Sequence, residues 1–268
     1  MCASFQMRAL SVDHAPDQRQ PVSIHRATTF VAVAALAFLA GCGEPVPSPP
    51  GDTAYDPYES QNREVHAFNK GFDTYVVRPT SEVWGAILPP PVRVGAMNFA
   101  TNLDTPTYIF NDILQGEVDD AAHNAFRFVI NSTAGIGGIF DFAGGMGLEP
   151  RRSDFDQTLY VWGAAEGPIV EVPVFGVYTS RHAYGTAVDI ATNPARLILP
   201  FNAPWLNSAA IRVVETRYAL QDTIDATLYE SADSYTLSRS LYLQNRRFVL
   251  AGGEAEEYFD PYDDLYGE

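Results

Sequence analysis

The sequence predicts an all-α protein with a single folded domain, and three observations carry that prediction. Apolar residues recur at three- and four-residue spacing in four separate stretches, as helices with one apolar stripe require. Only one short run, Ile169 to Phe175, is rich in β-branched residues, and Glu171 and Pro173 leave it either a short strand or an extended loop. From residue 55 to residue 253 there is no internal repeat and no low-complexity break, and that length suits one domain.

In chain order, Ala27 to Ala40 is an almost unbroken apolar run, preceded by His25 and Arg26 and followed by Gly41-Cys42. That is the layout of a secretory signal peptide over residues 1–41. Small residues and a cysteine directly after the apolar core predict cleavage before Cys42 and acylation, with palmitate or a similar chain, on that cysteine. The run falls short of the ~20 apolar residues that a spanning helix needs. Each buried methylene of an acyl chain contributes roughly 0.8 kcal/mol, so several chains hold the protein at a membrane surface. Cys2 leaves with the leader, so the mature chain keeps one cysteine and forms no intrachain disulfide. Residues 42–54 are rich in proline and poor in large apolar residues, an extended tether.

Removing residues 1–41 takes three of the 17 basic and two of the 33 acidic residues, leaving a formal charge near −17. Nucleic-acid binding needs clustered basic residues, so this balance excludes it as a partner. Electrostatic attraction to anionic head groups is disfavoured for the same reason.

Within the body, Val65, Phe68, Phe72, Tyr75 and Val76 mark a helix expected to end where Pro79 removes a donor. A second runs from Glu117 to Asn131, with Val118, Ala121, Ala122, Ala125, Phe126, Val129 and Ile130 on one wide face. Two more close the body: Trp205 to Tyr229, with Ile211, Val214, Tyr218 and Ile224, and Ser234 to Leu250, with Leu237, Leu241 and Phe248. None is apolar enough to cross a bilayer. Their stripes are expected to pack in a core, the alternative being a membrane interface. Residues 254–268 carry seven acids, no Lys or Arg, and Tyr258, Phe259, Tyr262 and Tyr266, a composition that does not fold alone.

The oddest stretch is Ala134 to Leu148, AGIGGIFDFAGGMGL, with Asp141 as its only charge. Glycine at this density lets backbone approach backbone or ligand, while exposed Ile and Phe need an apolar cover. The segment is either a buried hairpin or loop, or one that lies in lipid or lines a path for it. Phe140 stands where a dinucleotide fingerprint needs its third glycine, and no Gly-Lys-Ser/Thr phosphate loop occurs. Three mature histidines, His66, His123 and His182, lack metal-ligand spacing, and His182 follows Arg181 in what reads as a polar loop. No Gly-x-Ser-x-Gly elbow supplies a nucleophile. The expectation is a non-enzyme with no cofactor and no metal. Neutral amides at Asn62, Asn69, Asn98, Asn102, Asn111, Gln115 and Asn131 sit in or beside helical stretches, where they either cap helix ends or line a polar path.

In this order the residues resemble the MlaA family, also called VacJ, of outer-membrane phospholipid-trafficking lipoproteins. The resemblance runs from Tyr55-Asp56-Pro57 through Asn62-Arg63, Phe68-Asn69, Asp73 and Pro79 to Asn98-Phe99 and Asn102. It continues through Leu114-Gln115-Gly116, Arg127-Phe128, Asn131-Ser132, Gly135, Gly137-Gly138, Asp141 and Gln157 to Tyr235, Arg239, Tyr242 and Arg246. The chain departs from the family at Gly176-Val177-Tyr178 and Arg181-His182, and Ser234 replaces a customary proline.

The resemblance implies a ring-like helical body in the inner leaflet of the outer membrane, entered from the periplasmic side and pierced by a polar channel. Through it, misplaced phospholipids would leave the outer leaflet, maintaining lipid asymmetry. The implied partners are phospholipid, a porin trimer and an MlaC-like periplasmic carrier. Gly43, where related inner-membrane lipoproteins carry Asp, fits the outer membrane. Channel or membrane-facing candidates are Asn98, Phe99, Asn102, Gln115, Gly135, Gly137, Gly138, Phe140, Asp141 and Phe142, while Asn62, Arg63, Phe68, Asn69, Asp73, Arg127, Asn131 and Gln157 are expected to hold the fold. The alternative is a structural lipoprotein that scaffolds porins without moving lipid.

Overall fold

The computed structural model describes residues 55–193 and 208–252. The leader, Cys42, the tether, the start of the helix expected at Trp205 and the acidic tail lie outside the described residues. The described chain is mostly helical, as expected, and none of its helices is long and apolar enough to cross a membrane.

Helix α1 (Glu59–Phe72), a π-helical turn (Asp73–Val77) and α2 (Arg78–Ile87) follow one another without interruption. The stop expected at Pro79 therefore does not occur. Arg78 N–H reaches the Asp73 carbonyl five residues back, and Pro79 falls in the first turn of α2, where a missing N–H is tolerated. Helix α3 (Pro90–Gln115) opens on prolines and ends at Gly116, whose φ of 83° is the left-handed conformation that closes many helices. Helix α4 (Val118–Thr133) turns back at once and makes with α3 the most extensive helix pair among the described residues.

The glycine-rich segment leads into a single turn, α5 (Phe142–Gly145), and then α6 (Phe155–Val161), whose start carries a full capping box between Asp154 and Gln157. The β-branched run forms a hairpin, β1 (Ile169–Val172) antiparallel to β2 (Gly176–Thr179), with Ile169 opposite Thr179 and Val172 opposite Gly176. Helix α7 (Ser180–Thr192) replaces the polar loop expected around His182; Thr179 Oγ1 caps it by accepting from His182 N–H. The helix expected over 205–229 divides, within the described residues, into α8 (Ser208–Ala219), α9 (Gln221–Asp225) and a second π turn (Ala226–Glu230). Helix α10 (Ser234–Leu250) has the expected bounds.

The expected apolar core is overturned. Among the described residues, twenty-two polar or charged side chains are buried against eight apolar ones, while thirty large apolar or aromatic side chains are exposed. Phe68, Tyr75 and Val76 of the first stripe point outward, as do Phe126 and Val129 of α4 and Leu237, Leu241 and Phe248 of α10. The opposite faces turn inward: Asn62, His66 and Asp73; Asn124, Arg127 and Asn131; Tyr235, Leu243 and Arg246.

Buried charges need partners, and here they have them. Arg217 holds Asp73 through Nε and Nη2 (2.8 and 3.1 Å), and Tyr229 donates to the same carboxylate. Asp156, fully buried, accepts from Arg181 Nε (2.6 Å) and Arg246 Nε (2.7 Å), while Arg246 also grips Asp154 with both Nη atoms. These links tie the first π turn to α8, and α6 to α7 and α10.

Candidate functional site

The amides of α1 hold the hairpin that borders the site. Asn62 Nδ2 donates to the Ile169 carbonyl (3.1 Å) while its Oδ1 accepts from Glu171 N–H (2.9 Å). Two helical turns later, Asn69 Nδ2 donates to the Val172 carbonyl (3.1 Å) and its Oδ1 accepts from Val174 N–H (2.7 Å). Side-chain amides thus stand in for a third strand and cover the free edge of β1. Glu171 completes the clasp through Asn69 Nδ2 (2.9 Å) and His66 Nδ1 (3.2 Å). His66 Nε2 also meets Ser234 Oγ at 3.0 Å, a bond that a proline at 234 would not make. The clasp fixes the hairpin tip, where Val174 takes a φ of 72°, strained for a β-branched residue.

At that tip lie two adjoining cavities that share Phe175, Arg212 and Val213. The first, about 420 Å³, is walled mainly by Phe72, Val77, Val174, Val213, Ile224 and Leu228. The second, about 320 Å³, has a mostly apolar surface set with polar and charged groups: Asp104, Thr107 and Tyr108 come from α3, Tyr178 from β2, Asp189 from α7 and Arg212 from α8. Both reach the range of small-molecule sites. Arg212 Nε donates to Asp104 (2.9 Å) and Nη2 to Thr101 (3.2 Å), whereas Nη1 makes no hydrogen bond among the described residues. Asp189 accepts from Asn111 Nδ2 (2.8 Å) and Phe155 N–H (3.0 Å) but has no ion-pair partner there. Burial pushes its carboxyl up to about 6. The opposite holds for His182, stacked on Tyr242 and bonded to its hydroxyl at 2.8 Å: burial, aided by Arg246, lowers its pKa to about 4.

The glycine-rich segment forms a separate part of the surface. Ile136, Ile139, Phe140, Phe142 and Met146 are exposed, Ile136 by 65% and Met146 by 64%, so the segment is not a buried hairpin. Its backbone lies close on α3 and α4: a Cβ at Gly138 (φ 96°) would stand 2.3 Å from Asn102 Cβ, and one at Gly135 2.2 Å from the Phe140 carbonyl oxygen. Asp141 caps α5 through Gly144 N–H (2.9 Å) and accepts from Arg127 Nη2 (3.1 Å) and Asn131 Nδ2 (2.8 Å). Those bonds hold its carboxyl below the usual range despite its desolvation. Asn131 Oδ1 takes the buried Ala143 N–H (3.0 Å).

The other sequence candidates divide along the same line. Asn98 donates weakly to the Ile139 carbonyl (3.4 Å), and Asn102 to Ser132 (3.0 Å) and the Gly137 carbonyl (3.1 Å). Phe99 reaches Gly137, and Gln115 donates to Ser153 (2.8 Å) and Thr158 (3.0 Å). Arg63 pairs with Glu59 and Asp233 on the surface, and Gln157 closes its capping box. These amides mainly stitch loops to helices, and neither Asn98, Asn102, Gln115 nor Asp141 lines the two cavities. The residues that do line them, Thr107, Asp189 and Arg212, carry no sequence motif; they acquire a common site only because α3, α7 and α8 converge.

Comparison with known proteins matches this architecture to one family. Residues 54–249 fit the model of the MlaA lipoprotein family. The chain is 33% identical over 210 residues to the intermembrane phospholipid transport system lipoprotein MlaA of Shigella flexneri, covering 77% of this chain and 82% of the relative. The protein of the same name from Escherichia coli K12 gives 33% over 211 residues with the same coverage, and that of Haemophilus influenzae 28% over 239 residues, covering 86% and 93%. A solved structure concerned with the maintenance of bacterial outer-membrane lipid asymmetry aligns with a TM-score of 0.63 at 31% identity, over 73% of this chain and 98% of that one.

Proposed function

We propose, given that this chain belongs to the MlaA lipoprotein family, that it removes mislocalised phospholipid from the outer leaflet of the outer membrane. The protein is anchored by an acyl chain on Cys42 at the periplasmic face, with residues 42–54 as its tether. Lipid leaves through a polar passage in the helical body and passes to an MlaC-like periplasmic carrier, with a porin trimer alongside. No catalytic step is involved: the work is to lower the cost of moving a polar head group past hydrocarbon.

The observation that carries this reading is the inversion of burial. A protein surrounded by water gains by burying apolar area, at roughly 25 cal/mol per Å². This one buries ion pairs and amides and turns Ile136, Phe140, Phe142 and Met146 outward. That arrangement is favourable when the outer surface meets lipid and the interior meets head groups and water. In this reading the glycine-rich segment, with Phe140, Phe142 and neighbouring Phe99, faces the membrane. Asn98, Asn102, Gln115, Gly135, Gly137, Gly138 and Asp141 support it from behind, and the two cavities are the passage.

Head-group labelling of intact cells tests this. A strain lacking the protein should show excess surface phospholipid, cleared by wild type but not by Val213→Trp, which puts an indole at a wall shared by both cavities. Full clearance by Val213→Trp, present at wild-type level, would move the passage elsewhere. No excess on loss of the protein would leave a porin scaffold as the function.

A further inference from the structure

The proposed function leaves open which phospholipids the passage accepts, and the second cavity carries an answer that rests on that function. Three of its groups have chemistry to spare. Thr107 is only 5% exposed, yet its Oγ1 has no hydrogen-bond partner among the described residues. Native proteins seldom bury a hydroxyl in that state, and a ligand that bonds it removes the cost. Asp189 is a carboxylate on the same wall with no cation to balance it among the described residues. Arg212 is balanced by Asp104 on one edge and, among the described residues, leaves Nη1 unused at the boundary with the apolar cavity.

We propose that this cavity holds the head group of a zwitterionic aminophospholipid, the ammonium between Asp189 and Thr107 and the phosphate on Arg212. An ammonium offers three donors and one positive charge, which serve the carboxylate and the hydroxyl together. A planar guanidinium suits a phosphate, and the bond is charge-assisted. The neighbouring cavity of Phe72, Val77, Ile224 and Leu228 receives the start of an acyl chain. A head group ending in neutral hydroxyls brings a net negative charge to a wall that already has an unbalanced carboxylate, and is disfavoured. Desolvation is what raises the carboxyl of Asp189, so an arriving cation recovers that cost.

The full-length lipoprotein, incubated with vesicles of equimolar phosphatidylethanolamine and phosphatidylglycerol of identical acyl chains and then re-isolated, gives the test by mass spectrometry of the bound lipid. Wild type should carry the amine lipid in roughly tenfold preference, the worth of about one hydrogen bond to a charged group. Asp189→Asn should bring the ratio close to one, and the near-isosteric Thr107→Val should lower it by a smaller factor. Equal ratios in wild type and Asp189→Asn, with lipid bound to both, overturn the head-group assignment and leave the transport reading intact. Wild type emerging without phospholipid of either kind overturns the transport reading, and the assignment with it.

Discussion

Asp141 and Asp189 are both aspartates in a protein that buries many polar groups, yet their surroundings are opposite. Asp141, at the end of the glycine-rich segment, accepts from Arg127, Asn131 and Gly144 N–H, and its carboxyl is held below the usual range. Asp189, on the wall of the second cavity, has two neutral donors and no cation among the described residues, and its carboxyl is pushed up to about 6. The first carboxylate stabilises the fold that surrounds it. The second is a cost to the fold. Stability and function therefore separate in space: substitutions around the glycine-rich segment should weaken the fold, and substitution of Asp189 or Thr107 on the cavity wall should spare or strengthen it.

The largest expected effect is at Arg127, which is buried and bonded to Asp141. Arg127→Ala removes a buried side chain together with the cation of a part-exposed carboxylate and should cost about 3 kcal/mol, lost packing included. Urea unfolding in mild detergent measures it; a loss below about 1 kcal/mol would erase the contrast with the cavity.

Next come two opposed pH dependences. The lowered pKa of His182 means that the unfolded chain takes up a proton near pH 6.5 and the folded one only near 4. Its stabilising contribution is present above pH 6.5 and is lost as pH falls through 4, a change of roughly 2 to 3 kcal/mol. Asp189 acts in the other direction. Its folded pKa is raised, so its contribution is fully present below the unfolded value of about 4 and is lost as pH rises through about 6. In wild type the two slopes largely cancel between pH 4 and 6. His182→Asn should therefore expose a stability that falls with rising pH across that window, and Asp189→Asn one that falls with decreasing pH. At pH 7.5 Asp189→Asn should be roughly 1 to 2 kcal/mol more stable than wild type, less whatever its altered bond to Asn111 costs. Parallel profiles for wild type and both variants would contradict the two environments.

Much of this molecule was legible in the sequence, and what was not has a common cause. Helix α10 and the β-branched run were marked by apolar spacing and residue type, and Asp141 drew notice as a lone charge among glycines. Helix α3, although its amides were placed in or beside helical stretches, received no bounds because its inward face is Asn102, Thr105, Thr107, Asn111 and Asp112, which hydrophobic periodicity does not register. Helix α7 escaped for the same reason, with Arg181 and Gly185 as its buried residues. A sequence reading assumes that apolar stripes point inward. In α1, α4 and α10 the stripes point largely outward, so those helices were found with the wrong face buried, while Ile211 of α8 turns inward as expected; helices with polar inner faces were missed. The asparagines were recognised as important, but single-sequence patterns do not show that Asn62 and Asn69 would meet a strand a hundred residues away.

The smallest effect gives the sharpest test of the contrast, because it changes almost nothing but one hydroxyl. Thr107 is buried in α3 with an unpartnered Oγ1, and valine has nearly its shape. Were that hydroxyl part of the fold's own bonding, as Thr158 is with Asn111, its loss would cost about 1 kcal/mol. Being unpartnered, it carries an uncompensated desolvation cost, so Thr107→Val should leave the protein stable or gain about 1 kcal/mol in thermal or urea unfolding. Thr158→Val should lose a similar amount under the same conditions. A loss of equal size at both positions would show that the cavity wall is bonded as completely as the rest of the interior, and the distinction between the two aspartates would then rest on charge alone.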